Sequence, residues 1–383
     1  MKIVFVSNFF THHQKPLSDF IYAQEGTEYT FVATSEMTDE CKKTGYAFGN
    51  EPEYVKFSYK DEKSFEECLE LIDQADVVIA GSAPEKMLKN RIKSGKILVR
   101  YSERPLKKGN EVLKFVPRFV KWNLRNPKNR PVYMLCSSAY TAADYAKFGL
   151  FKRKTYKWGY FPVVKEENVE RLMEEKEKNS LTWVARVIDW KHPEIPVEIA
   201  KRLKKDGYSF EIKLIGTGVM EDEIQKKIED ENLSDCVKML GSMPPERVRE
   251  HMEKSEILMF TSDFNEGWGA VLNEAMNSGC AVVASHAIGS VPFVVTDGED
   301  GVVYKNGDMD DLYKKVKWLL DNPEERKRIG RSAYWTMVDA WAPEIAGRRL
   351  LKLLEDLTKS GECDFFESGP CSRAEILKND WYR

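Results

Sequence analysis

Residues 257–285 read ILMFTSDFNEGWGAVLNEAMNSGCAVVAS. An apolar four-residue run passes into a polar, glycine-bearing loop, then into a stretch of helical period from residue 269 to 278, then into a second apolar run, CAVVAS. Runs this short, bounded by turn residues and rich in β-branched side chains, are strands buried on both faces. Two such strands joined through a helix must be parallel, because the crossover returns the chain to the same edge of the sheet. The same alternation extends upstream. Strands are expected at LTWVA (181–185), FEIKLIG (210–216) and CVKMLG (236–241), with helices over residues 193–205, 221–230 and 245–254. A second series fills the N-terminal half, with strands at residues 2–7, 29–33, 77–80, 97–101, 132–136 and 155–158 and helical stretches such as 16–24, 64–74 and 84–93. Each half reads as a doubly wound α/β domain. The charged stretch VVKEENVERLMEEKEKNS (163–180) is expected to be a linker or a solvated linker helix.

A chain of 383 residues exceeds what one hydrophobic core usually supports, so two domains fit its length. With 42% hydrophobic and 32% charged residues it has the composition of a folded soluble protein rather than a disordered one. A net charge of −3 speaks against a role in coating nucleic acid. Seven scattered cysteines without a CxxC pair or a zinc spacing suit a reducing cytosol. The apolar run at residues 3–6 is too short for a signal-peptide core, and no run approaches the ~20 residues that span a bilayer. The chain is therefore expected to be cytoplasmic, with any membrane contact peripheral to the inner face.

Ligands of doubly wound sheets sit beyond the carboxyl ends of the strands. There the quoted stretch places Glu266 in the loop and Glu274 eight residues later, just over two helical turns. Carboxylates accept hydrogen bonds from sugar and ribose hydroxyls, and amides at a helix start suit a phosphate. This pattern resembles the group 1 (family 4) glycosyltransferases, whose hallmark is a glutamate, seven residues and a second glutamate. The resemblance implies the GT-B fold, two Rossmann-like doubly wound domains facing a central cleft, and retention of anomeric configuration. It implies that Glu266 holds the donor sugar, Glu274 the ribose, and the backbone of Gly267, Trp268, Gly269, Ala270 and Val271 a phosphate. Arg186 and Lys191 match the family's cations on the nucleotide diphosphate, a leaving group that calls for fixed positive charge. Gly216 and Gly218, in LIGTG, match its next strand and turn; the third glycine of a dinucleotide fingerprint is absent, which disfavours an NAD-linked oxidoreductase.

The resemblance is good over residues 181–303 and weak over the N-terminal half. Where the family often has a Gly-Gly loop after its first strand, this chain has Asn8 through Gln14, with His12 and His13 at a strand's carboxyl end. No histidine follows until His192, and Glu103, after the strand at residues 97–101, could take the place of a cleft histidine as a hydrogen-bonding or proton-accepting group. The choice among His12, His13 and Glu103 stays open, and a surface pair of Glu103 with Arg104 is the plainer alternative. Residues 104–130 are strongly basic, with Phe115, Phe119 and Trp122 interleaved, which suits an anionic membrane surface or a lipid-linked acceptor. Asp308 and Asp310 mimic a metal-binding DxD but directly precede a helical pattern, where an N-cap and a first-turn acid explain them; no metal is expected.

The resulting expectation is an acceptor domain over residues 1–163, a donor domain over 164–340, and a C-terminal helix and tail over 341–383 that could cross back. The enzyme would move a sugar from a UDP- or GDP-linked donor to a glycan or lipid-linked acceptor, without a further cofactor and without nucleic acid. A nucleotide-sugar epimerase or hydrolase of the same fold would yield product from donor alone. A non-catalytic nucleotide-sugar-binding protein would give no turnover.

Overall fold

The computed structural model describes residues 1–38, 51–107, 109 and 112–382. Cys41 and Lys108 lie outside them. The chain divides into two compact units: Met1–Val163 with Ala342–Lys378, and Val164–Trp341 with Asn379–Arg383.

The first unit is built on seven parallel strands, β1 (Lys2–Ser7), β2 (Glu28–Ala33), β3 (Val55–Phe57), β4 (Val77–Ala80), β5 (Ile97–Ser102), β6 (Val132–Cys136) and β7 (Thr155–Lys157), in the order β3-β2-β1-β4-β5-β6-β7. The second has six, β8 (Ser180–Val184), β9 (Glu211–Ile215), β10 (Val237–Met239), β11 (Ile257–Phe260), β12 (Ala281–Ser285) and β13 (Val302–Tyr304), ordered β10-β9-β8-β11-β12-β13. Every residue of β4, β6, β11 and β12 is buried, as strands covered by helices on both faces require. In each sheet the winding reverses once, between β1 and β4 and between β8 and β11, and those reversals open a crevice at the carboxyl ends of the strands. Apart from the extra edge strand β7, the order is the same in both units.

Two edge strands, β3 and β13, have no counterpart among the expected strands. Each has three residues. The reading of residues 163–180 as a linker is corrected. Val169–Glu174 is a helix that buries Val169, Leu172 and Met173 against Tyr334. Just beyond it, the buried Lys176 ammonium donates to the carbonyls of Glu253 (3.1 Å), Ser255 (2.8 Å) and Ser278 (2.8 Å). This segment is part of the second unit's core, and its density of charge concealed an apolar stripe at helical spacing. Asp308 caps the helix Met309–Asp321, accepting from the amides of Asp310 (3.1 Å) and Asp311 (2.9 Å), while Asp310 pairs with Arg202 (2.7 Å). Among the described residues no group of three or more His, Cys, Asp or Glu could hold a metal, and no helix is long and apolar enough to cross a membrane.

Candidate active site

In the second unit the loops that leave β8 and β11 flank the reversal of winding. The β8 loop carries Arg186 and then a tight 3-10 turn, Asp189–Lys191. Thr261, at the end of β11, fixes the two loops to each other: its hydroxyl accepts from the Trp183 indole (2.8 Å) and donates to the Lys191 carbonyl (2.7 Å). Lys191 and Glu266 consequently meet as an ion pair across the crevice, with side chains 11% and 9% exposed, and the Ser262 hydroxyl donates to the same Glu266 oxygen (2.9 Å). Trp190 lies beneath both cations, with its ring 4.4 Å from the Lys191 ammonium and 5.9 Å from the Arg186 guanidinium. Arg186 is exposed.

The expected helix starts two residues late, as Val271–Asn277, which places Glu266 in the loop and Glu274 in the first turn. Gly267 is buried, Gly269, Ala270 and Val271 are partly open, and the Trp268 side chain is a core group. The Trp268 indole donates to Asn273 (2.9 Å) and packs on Trp341, so only its backbone can face a ligand. Glu274 has quite different surroundings from Glu266. Burial pushes its carboxyl above the ordinary value, and the charge of the buried Arg249, behind it, opposes that shift. Arg249 is itself held by Asn277 (2.6 Å). Gly216 and Gly218 follow β9 and lie against the β8 loop. A Cβ on Gly216 would stand 1.9 Å from the Ala185 carbonyl oxygen, and one on Gly218 would stand 2.2 Å from that of Val187. Their absence of side chains lets the Arg186 backbone rest on the β9 turn, whose Thr217 carbonyl accepts from Val187 (2.9 Å).

The first unit has its own cavity of about 520 Å³ across the carboxyl ends of β1, β4, β5, β6 and β7. Glu103 and His13 both line it. The Glu103 carboxylate accepts from the Tyr160 phenol (2.7 Å) on one oxygen and from Lys107 (2.6 Å) on the other. The Tyr160 ring lies nearly parallel to that of His13, centroids 6.2 Å apart. His12 packs directly on His13, at 3.8 Å, but is not among the cavity's lining residues. Burial, and secondarily the neighbouring His12, lower the His13 imidazole to about 3, so it is neutral at physiological pH. The alternative pairing of Glu103 with Arg104 is not formed. Arg104 instead makes a buried pair with Asp144 (3.3 Å), which also withdraws it from the basic stripe.

Sequence reasoning passed over Tyr160, Trp190, Ser262 and Arg249. Tyr160 lies just past β7, where the carboxyl-end rule could have found it; Arg249 sits mid-helix with no local signal at all.

A family model described as "Glycosyl transferases group 1" matches residues 164–335. These residues belong to the group 1 glycosyltransferases. The group 1 unit carries Arg186, Lys191, Glu266 and Glu274. The chain is 28% identical over 179 residues to the amylovoran biosynthesis glycosyltransferase AmsK of Erwinia amylovora, covering 45% of this chain and 44% of that protein. An uncharacterized glycosyltransferase of Methanocaldococcus jannaschii, MJ1178, is also 28% identical, over 50% of this chain and 52% of its own length. The chain thus matches about half the length of these curated relatives. Among solved structures, the Anabaena protein HepE in complex with UDP superposes with a TM-score of 0.68 at 15% identity, over 93% of this chain and all of that one. A glycosyltransferase from Rickettsia africae gives 0.67 at 13% identity, covering 94% and 99%. At such identities the likeness carries the fold, and the two parallel sheets are those of the GT-B glycosyltransferases.

Proposed function

We propose that this chain is a retaining, metal-independent hexosyltransferase that moves a sugar from a nucleotide-diphosphate donor to a glycan or lipid-linked acceptor in the synthesis of a cell-surface polysaccharide or glycolipid. The observation that carries the reading is the Lys191–Glu266 pair at the point where the second sheet reverses. A donor diphosphate draws Lys191 toward itself, and the freed Glu266 accepts hydrogen bonds from the sugar. Glu274 takes the ribose, and amides at the start of Val271–Asn277, which lack intrahelical partners, take a phosphate. Arg186, Lys191 and that helix start stabilise the departing diphosphate, and no nucleophile stands out, which favours same-face attack. HepE has been crystallised with UDP and with UDP-glucose, which supports a UDP-linked donor over a GDP-linked one. AmsK's role in amylovoran biosynthesis supports a polysaccharide or glycolipid product.

The first unit's cavity takes the acceptor. Its aromatic walls, including Tyr101, Trp158 and Tyr160, suit the apolar faces of a sugar ring, and Glu103 receives an acceptor hydroxyl. At about 3 the His13 imidazole is too weak a base to take the acceptor's proton, so Glu103 is the group proposed to receive the acceptor hydroxyl.

Calorimetry on two variants tests the division of roles. Glu274→Gln is expected to weaken both UDP and the UDP-sugar by about 1.5–3 kcal/mol, the scale of a hydrogen bond to a charged group. Glu266→Gln is expected to leave UDP bound at least as well, since Lys191 loses its competing partner, while transfer falls. Equal weakening of both ligands by both variants would refute the assignment.

The helix Val112–Arg125 supports a peripheral membrane role. Phe115 and Trp122 pack inward on Phe148, while Val116, Phe119, Val120 and Leu124 are 66, 42, 51 and 74% exposed on one helical face. Lys114, Lys121 and Arg125 lie on the same helix, so an anionic bilayer is the complementary surface. Phe119→Glu with Leu124→Glu is expected to reduce co-sedimentation with phosphatidylglycerol vesicles at least tenfold, well below the roughly hundredfold or more that two fully buried apolar side chains would contribute. Unchanged sedimentation would take the membrane away from this helix.

A further inference from the structure

His192 directly follows Lys191 and stands in the left-handed region, φ +55°. A side chain held there costs about 1–2 kcal/mol relative to glycine, and such strain persists only where the surroundings enforce it. The surroundings here are acidic. Nδ1 lies 3.0 Å from a Glu194 oxygen and Nε2 lies 3.6 Å from Asp263 Oδ2. Glu194 opens the helix that follows the β8 loop, and Asp263 belongs to the loop after β11, so the ring bridges the two loops that carry Lys191 and Glu266. The backbone repeats the link, with the Asp263 amide donating to the Trp190 carbonyl (3.1 Å), while the His192 amide closes its own turn on the Asp189 carbonyl (2.9 Å). The hydrogen bond to Glu194 raises the imidazole above its ordinary value; burial opposes this, and the charges of Glu194, Asp263 and Asp189 add to it. Glu194, which burial alone would raise, ends below its usual range because of His192.

Resting on the donor-site reading above, we infer that His192 is a positioning residue that ties the β8 and β11 loops together and keeps Lys191 and Glu266 in register once the donor diphosphate separates their ion pair. A diphosphate competes with Glu266 for the three N–H donors of Lys191 and weakens their ion pair. When it turns to the phosphate, the bridge between the loops passes to the His192 imidazolium and its two carboxylates. A cationic ring serves this purpose better than a neutral one, so the bridge is strongest below the raised pKa and is lost as pH rises through it.

Two variants separate this from a merely structural turn. His192→Gly removes the ring and suits the backbone, so folding is retained; His192→Asn keeps a polar side chain tolerant of positive φ but no charge. Both are expected to lower kcat for sugar transfer at least tenfold with the dissociation constant for UDP changed less than about threefold, because Glu274 and the helix start still hold the nucleotide. The decline of wild-type kcat as pH rises through the imidazolium titration should be missing from both. Turnover within twofold of wild type and an unaltered pH profile would overturn the inference. A double-mutant cycle in thermal unfolding provides a readout independent of activity. The Tm shifts of His192→Gly and Lys191→Met should depart from additivity by about 2 °C or more, since the residues share one bridge. If the wild type binds no nucleotide, the donor-site reading has failed; additive Tm shifts would show that the bridge itself is wrong.

Discussion

Replacing Lys191 by Ala is expected to lower sugar transfer by roughly 10²–10³-fold, about 2.7–4 kcal/mol, the scale on which a single preorganised electrostatic contact to a developing charge acts. The departing nucleoside diphosphate gains negative charge as the glycosidic bond breaks, and on the proposed donor site Lys191, whose loop is held by the 3-10 turn and the Thr261 hydroxyl, is the cation that meets it. The structure adds a second consequence. Glu266 is 7% exposed and loses its counter-ion in the variant, retaining the Ser262 hydroxyl. An under-satisfied buried carboxylate costs about 1–3 kcal/mol, so this variant is also expected to unfold more readily. Arg186→Ala provides the comparison that separates the two effects. Arg186 is exposed and lies over Trp190, so its loss should reduce turnover and leave the unfolding transition in place. Steady-state rates with thermal melts of both variants decide the matter. Wild-type turnover in both would remove the diphosphate from this end of the sheet.

The second large effect is on stability. Gly216→Ala is expected to cost about 3 kcal/mol, roughly 6–12 °C in Tm, because it combines a backbone conformation that side chains avoid with a collision that cannot relax locally. Gly216 has φ +134°, and an added Cβ would meet the Ala185 carbonyl oxygen at 1.9 Å. That oxygen belongs to the backbone immediately preceding Arg186, so one of two loops must move. Either the β9 turn gives up its hydrogen bond from the Gly216 amide to Gly241 (2.8 Å), or the β8 loop shifts and carries Arg186 with it. Donor affinity should therefore fall together with Tm. Differential scanning calorimetry with and without UDP would show both, and a Tm within about 1 °C of wild type would mean that the two backbones do not touch as described.

These expectations draw on two kinds of information. Alternating apolar runs and helical periods are local patterns, and they sufficed for two α/β units and most of their strands, β1, β4, β6 and β11 to the residue. The pattern of Glu266, seven residues and Glu274, with Arg186 and Lys191 upstream, through its resemblance to the group 1 glycosyltransferases, suggested a nucleotide-sugar ligand from sequence alone. The three-residue edge strands β3 and β13 escaped, whereas β7 and β10, equally short, lay within the longer expected runs 155–158 and 236–241; β3 and β13 are defined by hydrogen bonds to a neighbour distant in the chain. The apolar stripe of Val169–Glu174 was masked by its charged neighbours, since composition averages over a helix whose faces differ. Other features were decided only by the tertiary structure, because they depend on which loops the sheet order brings together. Lys191 meets Glu266 from 75 residues away, Glu103 is held by Tyr160 across 57, and Arg104 is withdrawn from the basic stripe by Asp144 across 40. Sequence spacing cannot reveal such pairs. The reversal of winding places the ends of β8 and β11 side by side, and burial then requires each charge brought there to find a partner.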